Sequence, residues 1–360
     1  MAISIGAECL QSILDSSKLL NSNIDRKKLL NLVLDRAIAV TNAEAGTLWL
    51  VSEEGYLMPV VVQGVKKEFI ESLSLKPGEG LAGYVVSENK PKLARDVRDE
   101  PGWASRFDEY SGFETKSVLC IPLRADAIVI GCLELVNKAN NKLFSEKDLE
   151  VAMIFAGHAA IALENNRLYG ENKQLLESVI YVLSSALDAR EPYARKHSER
   201  VTALSLKLAK AIGLSAKKIE ELEWTALLHD VGKIGICDSV LHQQGPLDKK
   251  GWEIIKKHPE IGHKILIDLK PVKIGKAISS SVLSHHERYD GTGYPMGLKE
   301  DQIPLYARII AIADSYDTIT SDRPYRRKAS KAEAMEEIRN NAGTQFDPLL
   351  VEKFLTAIAP

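Results

Sequence analysis

The 360-residue sequence holds eight histidines, and all but His158 lie between His197 and His286. Histidine gathered with aspartate suits a transition-metal site, because imidazole nitrogens and carboxylate oxygens together hold iron, manganese or zinc. Unrelated core and surface histidines would leave the same count, so their spacing has to decide. Leu222, Ala226 and His229 fall at i, i+4 and i+7 on one face of a helix expected over Ile219–His229. That face carries His229 inward and leaves Asp230 about 100° round the axis. An inward aspartate beside an inward histidine is costly unless a cation neutralises it. Gly232 is expected to break the helix and let Lys233 turn back towards the same cavity. Taken alone, the pair would read as an exposed helix end with a solvated lysine.

Other positions repeat the pattern. His285 and His286 are adjacent in a helical stretch, so both rings reach one centre from the same turn. His258 precedes Pro259, which suits the first turn of a helix and puts His258 at its entry. His197 stands early in the first helix of its domain, and Asp314 and Asp317 share one face of an apolar helix at i and i+3. These five histidines and the aspartates with them exceed what one tetrahedral zinc requires, so the count favours a two-metal centre bridged by Asp230.

The rest of the chain sets the frame. A composition 45% hydrophobic and 27% charged excludes global disorder, and the length suggests about two domains. A net charge of −2 provides no basic field for a nucleic-acid polymer or an anionic lipid surface. No apolar run approaches the ~20 residues of a membrane span. The opening segment lacks a basic region and carries Glu8 and Asp15, so it does not read as a signal peptide. Cys9, Cys120, Cys132 and Cys237 are scattered and form no CxxC pair. Together these features predict a soluble cytoplasmic protein without membrane insertion.

Residues 20–165 read as an α+β domain, an antiparallel sheet with flanking helices. The pattern predicts a helix over Ile24–Val40, strands at Ala45–Val51, Leu57–Val62, Ser117–Pro122 and Ile128–Val136, and a glycine turn at Gly78–Gly83 entering a short helix. Residues 149–188 form one long connecting helix in which Ile161, Leu168, Leu175 and Val182 repeat by sevens, as do Asn165, Asn172, Val179 and Ala186. This stripe is either a coiled-coil seam of a parallel homodimer or a face packed on the chain's own domains. Residues 190–360 read as all-α, with helices over Val201–Ile212, Ile219–Leu228, Ile254–Leu269 and Ile309–Ile319 and a glycine-rich loop between Arg288 and Pro304.

His229-Asp230, His285-His286-Glu287 and Gly293-Tyr294-Pro295, with the runs Arg288–Pro295 and Ile312–Asp317, resemble the HD-GYP subgroup of the HD phosphohydrolases over nearly all of residues 180–350. The resemblance implies metal-dependent hydrolysis of cyclic di-GMP to linear pGpG, or on to GMP, with two divalent ions per chain, iron first and manganese as the alternative. It implies one ion on His197, His229, Asp230 and Asp314, and a second on Asp230, His258, His285 and His286. Such a pair generates hydroxide from water near neutral pH, for in-line attack on phosphorus. Lys233 is then placed to neutralise a non-bridging phosphate oxygen. Asp317 either orients the water or steadies Lys233. Tyr294 would line the cavity and meet substrate. Arg323 and Arg326 would grip phosphate, or else pair with acidic residues nearby. His242 and His263 match no ligand position and are expected to face solvent. Subgroup members with a third ion carry a glutamate four residues before the first histidine; here that position is Tyr193, with Glu191 behind Pro192.

The order of elements over residues 20–165 resembles a GAF sensory domain, which implies an unidentified small-molecule ligand. Asn137-Lys138 with Phe144 and Asp148 resembles the pattern of cyclic-nucleotide-binding GAF domains, in which the lysine and aspartate pair across the structure; Leu149 departs from it. Cys120 and Cys132 read as strand-core residues. Two other functions stay open on sequence grounds: hydrolysis of another cyclic dinucleotide such as cyclic GMP-AMP, and a non-catalytic signalling module that docks partners.

Overall fold

The computed structural model describes residues 26–64, 70, 72–100, 108, 114–190, 196–243, 245–321 and 328–359. Tyr193, Glu191, Arg323, Arg326 and Cys9 lie outside the described residues. The chain divides into two compact units, Met1–Asn172 and Lys173–Pro360.

The first unit is built on a five-stranded antiparallel sheet in the order β2-β1-β5-β4-β3. Its elements are α1 (Arg26–Thr41), β1 (Ala43–Val51), β2 (Leu57–Gln63), α2 (Gly80–Glu88), β3 (Lys92–Ala94), β4 (Val118–Ala125), β5 (Ile128–Lys138) and the start of α3 (Glu146–Arg190). Alternate residues of β4 feed two cores. Leu119, Ile121 and Leu123 join Leu30 and Leu34 of α1 and Phe155 and Ala159 of α3. Val118 and Cys120 join Trp49, Cys132 and the α2 residues Leu81 and Val85 on the other face. Cover on both faces makes these strands read as nearly unbroken apolar runs. Each strand expected from the sequence forms, with β4 and β5 running on to Ala125 and Lys138. The pattern does not announce β3, because three residues are too few for alternation to register.

Asn137 and Lys138 anchor the end of β5. Lys138 Nζ lies 2.6 and 2.7 Å from the two oxygens of Asp148 and so ties the end of β5 to the first turn of α3. Asn137 accepts from the backbone N–H of Lys116 at 2.8 Å and donates to the Glu114 carbonyl at 2.8 Å. The lysine–aspartate pairing implied by the resemblance to cyclic-nucleotide-binding GAF domains is therefore present.

The second unit is helical throughout its described residues. After the last turns of α3 come α4 (His197–Ala211), α5 (Ala216–Leu227), α6 (Asp238–Leu241), α7 (Lys249–Ile255), α8 (His258–Leu266), α9 (Val272–Ser284), α10 (Leu305–Thr320), α11 (Lys331–Asn340) and α12 (Pro348–Ile358), with a 3₁₀ turn at Val231–Gly235. The main core gathers Val201 and Leu208 of α4, Leu222 and Ala226 of α5, Ile309 and Ala313 of α10 and Phe354 of α12. A second core joins Ile180 of α3 to Leu227, Val231, Leu266, Ile278 and Val282.

Two helices differ from expectation in ways that matter for the site. The helix expected over Ile254–Leu269 is split, because α7 ends at Ile255 and α8 begins at His258. Pro259 has no N–H to give the Ile255 carbonyl four residues back, so a continuous helix cannot close there. The helix expected to reach His229 ends at Leu227, which leaves His229 just beyond it.

Along α3 the seven-residue repeat is exposed: Ile161 52%, Leu168 42%, Leu175 64% and Val182 67%. No helix among the described residues is long and apolar enough to cross a membrane.

Candidate metal centre

Three of the histidines share one local device. His229 follows the end of α5, His258 follows the end of α7, and His285 caps α9. The last carbonyls of a helix have no partner within it. Each ring takes one of them: Nδ1 of His229, His258 and His285 lies 2.7 Å from the carbonyl oxygen of Ala226, Ile255 and Val282 respectively. A ring nitrogen facing a carbonyl must carry the proton, so each Nε2 presents its lone pair. His229 Nε2 is buried and makes no well-aligned hydrogen bond, as suits a metal-ligand atom.

Those nitrogens converge on Asp230. Its Oδ2 lies 3.3 Å from His229 Nε2 and 4.0 Å from His197 Nε2. Its Oδ1 lies 3.2 Å from His258 Nε2 and 3.9 Å from His285 Nε2. One carboxylate thus turns an oxygen to each half of the cluster. His197, His229 and Asp314 form one group of possible metal ligands, and Asp230, His258, His285 and His286 a second, with the ligand atoms of each group within 4.8 Å of one another. All seven metal-ligating residues expected from the sequence are therefore brought together.

Gly232 acts differently from its sequence reading. A Cβ on it would stand 1.8 Å from the His258 carbonyl oxygen and 2.5 Å from the Gly262 nitrogen. Its bare backbone lets the 3₁₀ turn press against the entry of α8 and so brings Asp230 up to His258. Lys233 follows in that turn, with Nζ 2.8 Å from Asp230 Oδ2.

Asp317 lies behind His197. Its Oδ2 is 2.8 Å from His197 Nδ1, and Arg200 grips it through Nε at 2.6 Å and Nη2 at 3.0 Å. Asp314 takes the other face of the ring, 3.3 Å from Nε2. Arg200 is absent from the sequence reading; its signal is the i+3 spacing His197–Arg200, matched by Asp314–Asp317 on α10. Glu287 is also missed. Buried at 3% exposure, it accepts from the backbone N–H of Met296 at 2.7 Å and Leu298 at 3.1 Å, pinning the loop that carries Tyr294. The Tyr294 ring stands 5.0 Å from that of His286.

The electrostatics call for cations. Burial opposes charge on His197, yet Asp314, Asp317 and Asp230 override it and raise the ring to about 10. Burial likewise works against Asp230 and Asp314, but Lys233 and His229 beside the first and His197 beside the second hold both well below the usual carboxylate range. His285 and His286 are pushed down by burial and by neighbouring imidazoles, His286 to about 4. The ionised carboxylates therefore face neutral imidazoles at His285 and His286, and at His197 and His229 imidazoles they hold protonated, whose proton a divalent ion would displace. Burial and the same carboxylates push the Tyr294 phenol up, keeping it a hydrogen-bond donor.

A cavity of about 650 Å³ opens over the cluster, lined among others by Asp230, Lys233, Trp252, His286, Arg288 and Tyr294. That volume suits a small-molecule ligand. The two other histidines between His197 and His286 are not simply solvated. His242 is exposed but sets Nε2 on the Arg190 carbonyl, and His263 is half-buried with Nδ1 3.1 Å from the Ser279 carbonyl.

Fold and site together define a chain of two domain classes, a GAF domain matched over residues 23–164 followed by an HD domain matched over residues 181–350. An HD domain implies divalent-metal binding, and these His/Asp groups are its candidate ligands. Among its relatives, a cyclic di-GMP phosphodiesterase of Thermotoga maritima is 40% identical over 189 residues, covering 52% of this chain and 50% of that protein. A 3'3'-cGAMP-specific phosphodiesterase of Vibrio cholerae is 35% identical over 213 residues, covering 59% and 40%. A cyclic di-GMP phosphodiesterase of Pseudomonas aeruginosa is 37% identical over 172 residues, covering 48% and 41%. The chain thus matches half or less of the length of each of these relatives.

Proposed function

We propose that this chain is a metal-dependent phosphodiesterase of the HD-GYP kind that opens cyclic di-GMP to linear pGpG, under the control of a small molecule bound by its GAF domain. The observation that carries this reading is the Asp230 carboxylate, with one oxygen towards His229 and His197 and the other towards His258 and His285. In this reading His197, His229, Asp230 and Asp314 hold one divalent ion and Asp230, His258, His285 and His286 the other, iron or manganese. Such ions supply the Lewis acidity that makes hydroxide available at neutral pH and polarises a phosphate.

The chain's own residues do the rest. Hydrolysis adds one water across the bond between phosphorus and the 3′-oxygen: the water oxygen joins phosphorus, and the departing 3′-oxygen takes a proton. Lys233 neutralises charge growing on a non-bridging oxygen at the cavity floor. The protonated Tyr294 hydroxyl donates to the substrate, and the loop held by Glu287 fixes its position. Arg323 and Arg326 are assigned to phosphate on the resemblance alone. Asp317, with Oδ2 2.8 Å from His197 Nδ1, acts in this reading by positioning that ring and neither orients the water nor steadies Lys233. A second substrate, 3'3'-cGAMP, is favoured by the identity to the Vibrio cholerae enzyme specific for it.

The deciding experiment purifies the protein without oxygen and loads it with iron(II) or manganese(II). Each cyclic dinucleotide is then offered in turn. Release of pGpG from cyclic di-GMP in the loaded protein, absent after chelation, is the expected result. A loaded protein that turns over neither dinucleotide contradicts the reading.

A further inference from the structure

We infer that Arg190 is a positioning residue for Lys233, which makes the last turn of α3 a working part of the site. The inference rests on the reading of Lys233 as the group that neutralises phosphate charge. Arg190 is the final residue of α3, and its guanidinium reaches over the segment that leaves the metal cluster. Nη1 donates to the carbonyls of Lys233 at 3.2 Å and Ile234 at 3.1 Å. Nη2 donates to the Ile236 carbonyl at 3.1 Å and to Asp238 Oδ1 at 2.7 Å. His242 closes the circuit from the far end of the same segment, with Nε2 on the carbonyl of Arg190 itself.

Only a planar fork has donors enough for three carbonyls and a carboxylate at once; a lysine ammonium in the same place is a single point with three. The need for such a clamp is visible in the turn. One edge is fixed where Gly232 presses on the His258 carbonyl. The other edge carries Ile234, which is 58% exposed and so contributes little packing. Arg190 supplies on that edge the restraint that a core residue would otherwise give. Lys233 extends a flexible stem from this backbone, so where its ammonium sits depends on how firmly the turn is held. Misplacing a charge-neutralising group by an ångström costs up to about 100-fold in rate.

The test is a double-mutant cycle on the metal-loaded full chain, using Arg190→Ala, Arg190→Lys, Lys233→Ala and the Arg190→Ala/Lys233→Ala pair. Cyclic di-GMP is one substrate; bis(p-nitrophenyl) phosphate is the other, so that the outcome does not depend on the bases. Arg190→Ala should lower kcat by about 10- to 100-fold with unchanged metal content and helicity. Arg190→Lys should recover little of the loss. In the Lys233→Ala background the Arg190 change should cost less than about twofold, since a residue acting through Lys233 has nothing left to position. Wild-type kcat in Arg190→Ala, additive losses in the pair, or lost metal or helix content would each overturn the inference. Additive losses with an impaired Lys233→Ala leave the reading of Lys233 standing. An unimpaired Lys233→Ala removes that reading and the inference with it.

Discussion

Asp317 Oδ2 stands 2.8 Å from His197 Nδ1, and this contact turns the imidazole so that its other nitrogen faces Asp314 and Asp230. The remaining buried histidines of the cluster lean on backbone carbonyls, whereas His197 leans on a carboxylate that Arg200 holds in turn. A carboxylate behind a metal-binding imidazole raises its basicity as well as fixing its tautomer.

Asp317→Asn should therefore weaken metal binding in the His197 half of the cluster while leaving the His258 half loaded. The expected loss is about 10- to 100-fold in metal affinity or activity. Metal titration of the purified variant checks this, and wild-type affinity would show that the contact does not serve the metal.

Asp230→Asn should abolish turnover with the helical unit still folded by circular dichroism, because each Asp230 oxygen faces a different half of the cluster. His242→Ala is unsuitable as a control, since His242 touches the Arg190 carbonyl. Lys207→Ala, at an exposed position on α4, serves instead and should match the wild type.

Two ions per chain are expected from elemental analysis of anaerobically purified protein, and chelation should lower the melting temperature, because ions that bind only the folded state stabilise it. Three fully occupied ions would point to a ligand outside the two groups at the centre.

In the first unit, Asp148→Asn should lower stability by about 1–3 kcal/mol through loss of the Lys138 pair. Burial alone would raise the Asp148 carboxyl, but hydrogen bonds from Lys138 and Ser145 outweigh it and bring the group below its ordinary 3.8. The pair's contribution is thus fully present above that value and is lost as the pH falls through the depressed one. Denaturant melts at pH 7 and near pH 3 should show the variant's deficit shrinking at the lower pH; a constant deficit would assign it to packing.

The exposed repeat on α3 predicts a parallel homodimer, with Leu175 among its most exposed members at 64%. Leu175→Asp should shift the protein to monomer in light scattering, while a wild type that is monomeric at micromolar concentration would refute the seam.

The histidine spacing, the apolar strand runs and the long uninterrupted helix were legible from the sequence because each is a local pattern. His229, His258 and His285 announce themselves by residue type, and the apolar period of α5 points inward whatever lies opposite. Their common support was not legible, because a carbonyl freed at a helix end exists only once the helix has stopped. The split at Pro259 shows this: it frees the Ile255 carbonyl and aims His258 in one step. Arg200, Glu287 and Arg190 act through partners 117, 9 to 11, and 43 to 48 residues away, and no sequence period says which partner each one meets. Sequence alone thus determined which atoms are available to hold metal, since that is a property of side-chain chemistry. The tertiary structure decided which oxygen of Asp230 faces which imidazole and what fixes each ring, because those depend on where separate helices end against one another.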